Sequence, residues 1–313
     1  MRVSAAASES NGQSTKAGVG QPSAQTLVLS RRMAIQWALC SVGVFVIVAA
    51  AIATVGWRGD LTTATTITVR SPASLLPQAV WAVTLLVGVT VVHELVHAGL
   101  MRRYGARPTV GVGRVYGVIP YCYADPGPEA VFSRNQAVVV LLAPVVTLTL
   151  AGALVVAAVP STVVVVVVAA NAAGSVGDLW LATRLASVSS RAHVVPFQGA
   201  ATAGFRVFDE AGSRFWSRGV AAGCRFAYGL VATVSVLSVI AVGAVLTTAG
   251  VGSGAVTLGD PDGPLYFGQH AFDPETGTAT VEVGFRTVGV AALAGGVVAT
   301  VAPSVGRCVG LVE

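Results

Sequence analysis

Residues 79–101 read AVWAVTLLVGVTVVHELVHAGLM, and this stretch decides what kind of protein the chain is. It is long enough to cross the hydrocarbon core of a bilayer, which takes about 20 consecutive apolar residues in a helix. Its second half nevertheless carries His93, Glu94 and His97. Ionisable groups at such a depth are costly unless they are paired or metal-bound, so they need a reason to be there. Histidines four residues apart project from one helix face, about 40° apart, with Glu94 on its flank.

That spacing is the H-E-x-x-H pattern of zinc sites. Two neutral imidazoles, His93 and His97, hold the metal, and Glu94 takes a proton from water that the metal polarises.

Composition supports the membrane reading. Apolar residues make up 54% of 313 positions and charged ones 11%, against about a quarter charged in soluble domains. Six segments are apolar enough to cross: Met33–Trp57, Ala79–Met101, Gln136–Val159, Thr162–Ala182, Phe226–Ala249 and Val288–Val305. The fold class expected is an all-α polytopic membrane protein of about six helices, with a three-helix core in spans two to four.

The net charge of +5 comes almost entirely from arginine, Lys16 being the one lysine. Most arginines fall between apolar segments, where positive charge sets topology, so no nucleic-acid partner is expected. Arg31 and Arg32 precede the first span; Arg102 to Arg134 and Arg184 to Arg225 fill two connections. The 250–286 segment instead carries Asp260, Asp262, Asp273, Glu275 and Glu282. The positive-inside rule then puts both chain ends and the arginine-rich segments in the cytoplasm and the acidic loop outside the cell membrane.

The organisation expected is a disordered tail over 1–28, a first span (a retained anchor) and external loop over 29–78, and a catalytic core over 79–185. A cytoplasmic arginine-rich loop follows over 186–225, then accessory spans over 226–313. Cys40, Cys122, Cys224 and Cys308 show no paired spacing and read as reduced structural thiols. His193 and His270 lie outside the spans and read as loop histidines.

Catalytic zinc takes three protein ligands and leaves a position open. Glu94 and Asp178 are the acidic residues within the predicted spans. In this topology Asp178 sits at the depth of the histidine pair, six residues before Arg184. It is expected to be the third ligand, with an ion pair to Arg184 as its rival role. Asn171, Gly174, Ser175 and Asp178 recur at helical intervals as a small, polar stripe. The Asn171 amide either hydrogen-bonds substrate or polarises the scissile carbonyl, or it bonds across helices. The segment Thr109–Tyr123, rich in glycine and β-formers, reads either as a hairpin offering an edge to an extended peptide or as an interfacial loop.

Over about residues 89–185 the chain resembles the zincin peptidases of the DUF3267 family, whose motif layout is similar to that of site-2 proteases. The resemblance rests on His93-Glu94-Leu95-Val96-His97 with Ala98-Gly99, on Arg134 leading to Leu142-Ala143-Pro144, and on Asn171 to Asp178 with its Gly174-Ser175 and Gly177-Asp178 pairs. It implies Zn²⁺ on His93, His97 and Asp178, with Glu94 as general base, in a site-2-protease-like core. Gly177-Asp178-Leu179 stands where site-2 proteases carry an Asn-Pro-Asp-Gly-like element. The function expected is a metalloendopeptidase acting on membrane-anchored proteins within the lipid bilayer. The alternative is a non-catalytic membrane protein that binds or transports metal. No sequence feature bears on the oligomeric state.

Overall fold

The structure, a computed structural model, describes residues 23–28, 31–57, 65–70, 72–115, 119–199, 202–209, 218–251, 254–261, 263, 266–273, 275 and 278–308. Its helices are α1 (Arg31–Trp57), α2 (Pro72–Arg103), α3 (Arg134–Ala158), α4 (Thr162–Gly174), α5 (Val176–Ala186), α6 (Arg218–Val251) and α7 (Phe285–Cys308). Four of them, α1, α2, α3 and α6, are long and apolar enough to cross a membrane. A fifth crossing is reached if α4 and α5 count as one broken span. The apolar part of α7, Arg286–Ala302, is shorter than a span. The expected sixth span is thus not among the helices that qualify over the described residues, and the expected fourth is two helices. Leu150, Leu154, Val239 and Leu246 are each more than half exposed, the apolar outer surface of helices whose solvent is lipid.

The all-α expectation is corrected. Among the described residues ten strands form three sheets: β1 (Ser23–Val28), β2 (Thr65–Arg70), β3 (Thr109–Val115), β4 (Ile119–Asp125), β5 (Phe132–Ser133), β6 (His193–Gly199), β7 (Thr202–Asp209), β8 (Gly254–Leu258), β9 (Gly268–Asp273) and β10 (Thr278–Val283). The pairing is antiparallel throughout, and three of the seven strand pairs, β1–β7, β2–β10 and β5–β6, are long-range. Ser23 faces Asp209, and Thr65 faces Val283. The disordered-tail reading of 1–28 thus fails at its end, because residues 23–28 gain a ladder of backbone bonds from β7. The rest of that segment lies outside the described residues. The 186–225 stretch holds the β6–β7 hairpin and the first turns of α6, and the acidic 250–286 segment is the β-rich β8–β9–β10 meander.

Two compact units divide the chain. The first comprises residues 1–36, 90–146 and 177–220; the second comprises 37–89, 147–176 and 221–313.

The first unit contains the sheet β1-β7-β6-β5, the separate β3–β4 ribbon, and helical residues of α2, α3 and α5. Its core joins Ala137 and Leu141 of α3 to Ala182 and Leu185 of α5 and to Phe132, Val194 and Val207 of the sheet. Leu185, Val194 and Val207 are essentially fully buried, each worth about 1.5–3 kcal/mol of burial against exposure to water.

Helix ends in this unit are fixed locally. At the start of α3, Ser133 and Gln136 exchange bonds, Gln136 N–H to Ser133 Oγ at 3.3 Å and Ser133 N–H to Gln136 Oε1 at 2.9 Å. This is a capping box, and it satisfies two otherwise orphaned donors. At the end of α2, Gly105 has φ +90°. Gly105 N–H bonds Arg102 C=O at 3.0 Å and Ala106 N–H bonds Met101 C=O at 3.0 Å. Such a Schellman ending needs the left-handed backbone that glycine adopts without a Cβ clash.

The second unit contains the sheet β2-β10-β9-β8 and helices brought close by small residues. A side chain at Gly43 would run into the Val231 carbonyl of α6, and one at Gly229 would run into α7 at Gly295. Ser235 reinforces the α1–α6 contact, accepting from Gly43 N–H at 2.9 Å and donating to Leu39 C=O at 2.7 Å. In lipid, close approach and hydrogen bonds of this kind replace the hydrophobic drive.

Candidate metal centre

The site is built from two helices of the first unit. On α2, His93 and His97 are 8% and 6% exposed, so both rings are withdrawn from the surroundings. Their ring centroids are 4.8 Å apart with planes at 76°, and their Nε2 atoms face each other at 3.1 Å. Asp178 on α5 completes a triangle. Its Oδ2 lies 3.2 Å from His93 Nε2 and 3.5 Å from His97 Nε2. The expected ligand set, His93, His97 and Asp178, is the group of side chains among the described residues whose donor atoms converge tightly enough to hold a metal ion.

The geometry fits zinc. Nitrogen and oxygen ligands lie about 2.0–2.1 Å from the ion in a tetrahedron, which sets neighbouring ligand atoms roughly 3.3 Å apart. The three edges here, 3.1, 3.2 and 3.5 Å, bracket that value. Three protein ligands on one triangular face leave a fourth position open, as catalytic sites do.

The chemistry of the donors agrees. His97 Nδ1 lies 2.8 Å from the carbonyl of Val140 on α3. A carbonyl only accepts, so Nδ1–H donates to it, and Nε2 is left turned inward toward Asp178. Nε2 lies 3.5 Å from a carboxylate oxygen of Asp178. In the neutral ring Nε2 offers the lone pair that a metal ion held between it and the carboxylate would take. The Val140 carbonyl also fixes the ring's orientation, the part that outer-shell partners play in metal sites.

The fourth apolar segment, which bears Asp178, is not one helix. Ser175, at the end of α4, has φ −78° and ψ 2°. The Asn171 carbonyl takes both its N–H, at 3.0 Å, and its Oγ–H, at 2.8 Å. A serine bonding back to the carbonyl four residues earlier loosens and bends helices. The chain restarts as α5, and Asp178 falls in that helix's first turn, where the aligned N–H dipoles favour an anion. The expected stripe of Asn171, Gly174, Ser175 and Asp178 on a single helix is corrected accordingly, since it is cut at Ser175. Asn171 is buried in the second unit, where its backbone carbonyl serves Ser175. Arg184, the rival partner for Asp178, has its guanidinium stacked 4.6 Å from the ring centre of Trp180.

Glu94 is half-buried beside the first ligand, and the backbone N–H of Ala124, on β4, faces its carboxylate. The hairpin reading of Thr109–Tyr123 is therefore realised as β3–β4, with Thr109 opposite Asp125 and Val115 opposite Ile119. Two groups escaped the sequence reading, the Val140 carbonyl and the Ala124 N–H. Both are backbone groups, and only Pro144, four residues after Val140, hinted at the first. His193 begins β6 and His270 lies on β9, so neither is a loop histidine, and neither belongs to the converging group. Among the described residues Cys40, Cys122 and Cys224 are free thiols.

No curated protein and no solved structure matches the chain. A family model does match residues 86–193, that of DUF3267, "Putative zincin peptidase". The matched stretch contains every residue of the triangle, and zinc is the metal that a zincin carries. It is through this segment, with His93, Glu94, His97 and Asp178 inside it, that the chain is similar to the DUF3267 zincin peptidases.

Proposed function

We propose that the protein is a zinc-dependent endopeptidase embedded in the cell membrane, cutting membrane-anchored proteins near the cytoplasmic face. The observation that carries this reading is the tetrahedral-sized triangle of His93, His97 and Asp178 with the Glu94 carboxylate one residue from its first corner. Bound zinc supplies a positive charge that polarises a carbonyl and brings the pKa of water toward neutrality. Glu94 accepts the proton of the attacking water and returns it to the departing amine, with the Ala124 N–H beside its carboxylate. A peptide bond within a helix is shielded by its own backbone bonds, so the substrate has to be drawn out. The β3–β4 ribbon carries no further strand on either side among the described residues, and a chain laid along such an edge is held extended. The core resembles that of site-2 proteases in layout, and the arginine distribution supports cytoplasmic chain ends.

The test uses the full chain purified from membranes. The wild type should hold zinc, and Glu94→Gln should hold as much while losing about 10²–10⁴-fold in cleavage. The substrate should emerge as a membrane protein that is intact in Glu94→Gln cells and shortened in wild-type cells. Cleavage undiminished in Glu94→Gln, or zinc moved across liposomes by a chain that cuts nothing, would overturn the proposal in favour of a metal-binding or transport protein.

A further inference from the structure

Pro144 lies inside α3 and is among the most completely buried residues of the chain. In a helix each N–H bonds the carbonyl four residues earlier. Proline has no N–H, and its ring crowds that same carbonyl. The carbonyl four residues before Pro144 is that of Val140, the one that lies 2.8 Å from His97 Nδ1. A helix crossing lipid cannot leave such an acceptor without a donor, because no water is there to supply one.

We infer that Pro144 is a positioning residue of the metal centre. By withholding the helical N–H it reserves the Val140 carbonyl for His97, which locks the His97 ring with Nε2 toward His93 and Asp178. The two defects cancel. The helix lacks a donor at Pro144, the imidazole needs an acceptor for Nδ1–H, and the Val140 carbonyl answers both. The deduction rests on the zinc-site reading above, since it assigns a purpose to the orientation of a ligand. It predicts that the missing N–H, rather than any bend in α3, is what position 144 contributes.

The experiment compares three forms of the full chain in detergent: wild type, Pro144→Ala, and a chain with lactic acid at position 144. Lactic acid has the methyl side chain of alanine but an ester oxygen in place of N–H. Zinc affinity is measured by competition with a chelator, and thermal unfolding of the metal-free protein is followed by circular dichroism. Pro144→Ala restores the competing donor, so its zinc affinity should fall about 10–100-fold, the usual loss for an outer-shell partner. Its metal-free form should unfold no earlier than the wild type, because an interior proline burdens a helix. The ester form should bind zinc within about 3-fold of wild type, staying well short of the loss expected for an outer-shell defect. Equal zinc affinity in Pro144→Ala and wild type, an ester form as weak as Pro144→Ala, or earlier unfolding of Pro144→Ala would each overturn the inference. A wild-type chain that binds no zinc would instead overturn the metal-centre reading itself.

Discussion

Helix α3 and the α4–α5 segment are both interrupted, and the interruptions do opposite things. In α3 the helix continues through Pro144 and gives up one backbone donor. Between α4 and α5 the helix stops at Ser175 and begins again, with Asp178 in the new first turn. The first device exposes a backbone acceptor without ending the helix. The second ends a helix to create a start that suits a carboxylate. One orients a ligand from behind and the other delivers a ligand outright, so damage to the two should differ in size.

The sharpest way to break this contrast is at the delivered ligand. Asp178→Ala removes a corner of the triangle and should weaken zinc binding beyond the roughly 100-fold ceiling of outer-shell losses; retention of full zinc content would detach α5 from the site. Pro144→Ala comes next, at about 10–100-fold, read by the same chelator competition. A third variant separates the position of α3 from its proline. Ser133→Ala removes the capping box and should cost about 0.5–2 kcal/mol of stability in chemical unfolding, with zinc affinity nearly unchanged. A parallel loss of zinc would mean that the start of α3, and not Pro144, sets the depth of Val140. The smallest effect is expected from Ser175→Ala. It deletes one Oγ–H bond, worth about 0.5–1.5 kcal/mol, while Gly174 keeps the helix weak at that point. A drop in zinc affinity larger than that of Pro144→Ala would reverse the ranking of the two interruptions.

The side chains of the site were legible in the sequence because few polar groups occur in its apolar stretches. His93 and His97 advertise themselves by spacing, and Asp178 by its isolation at the matching depth. The backbone partners were not legible, because the carbonyl of Val140 and the N–H of Ala124 have no letter of their own. The break at Ser175 was hidden by hydropathy, which runs on across Gly174 and Ser175 without registering that a hydroxyl competes for the Asn171 carbonyl. The sheets were missed for another reason. Strands such as Thr65–Arg70 and Ser23–Val28 are short, and their partners lie far along the chain at Thr278–Val283 and Thr202–Asp209. No local pattern carries that information. Among the local pairings, which also include β6–β7 and the β8–β9–β10 meander, β3–β4 announced itself in the sequence through the glycines and β-formers of a hairpin.

The antiparallel sheets also fasten the route of the chain by parity. β1 precedes α1 and pairs with β7, which follows α5. β5 precedes α3 and pairs with β6, again beyond α5. β2 precedes α2 and pairs with β10, beyond α6. Hydrogen-bonded strands occupy one compartment, so an even number of crossings must separate each pair. With α1, α2, α3 and α6 each crossing once, all three counts come out even only if α4 and α5 together make one full passage. A loop that dipped in and returned on the same side would leave every count odd. On that count α4 and α5 together would supply the fifth crossing that their length and apolar composition allow.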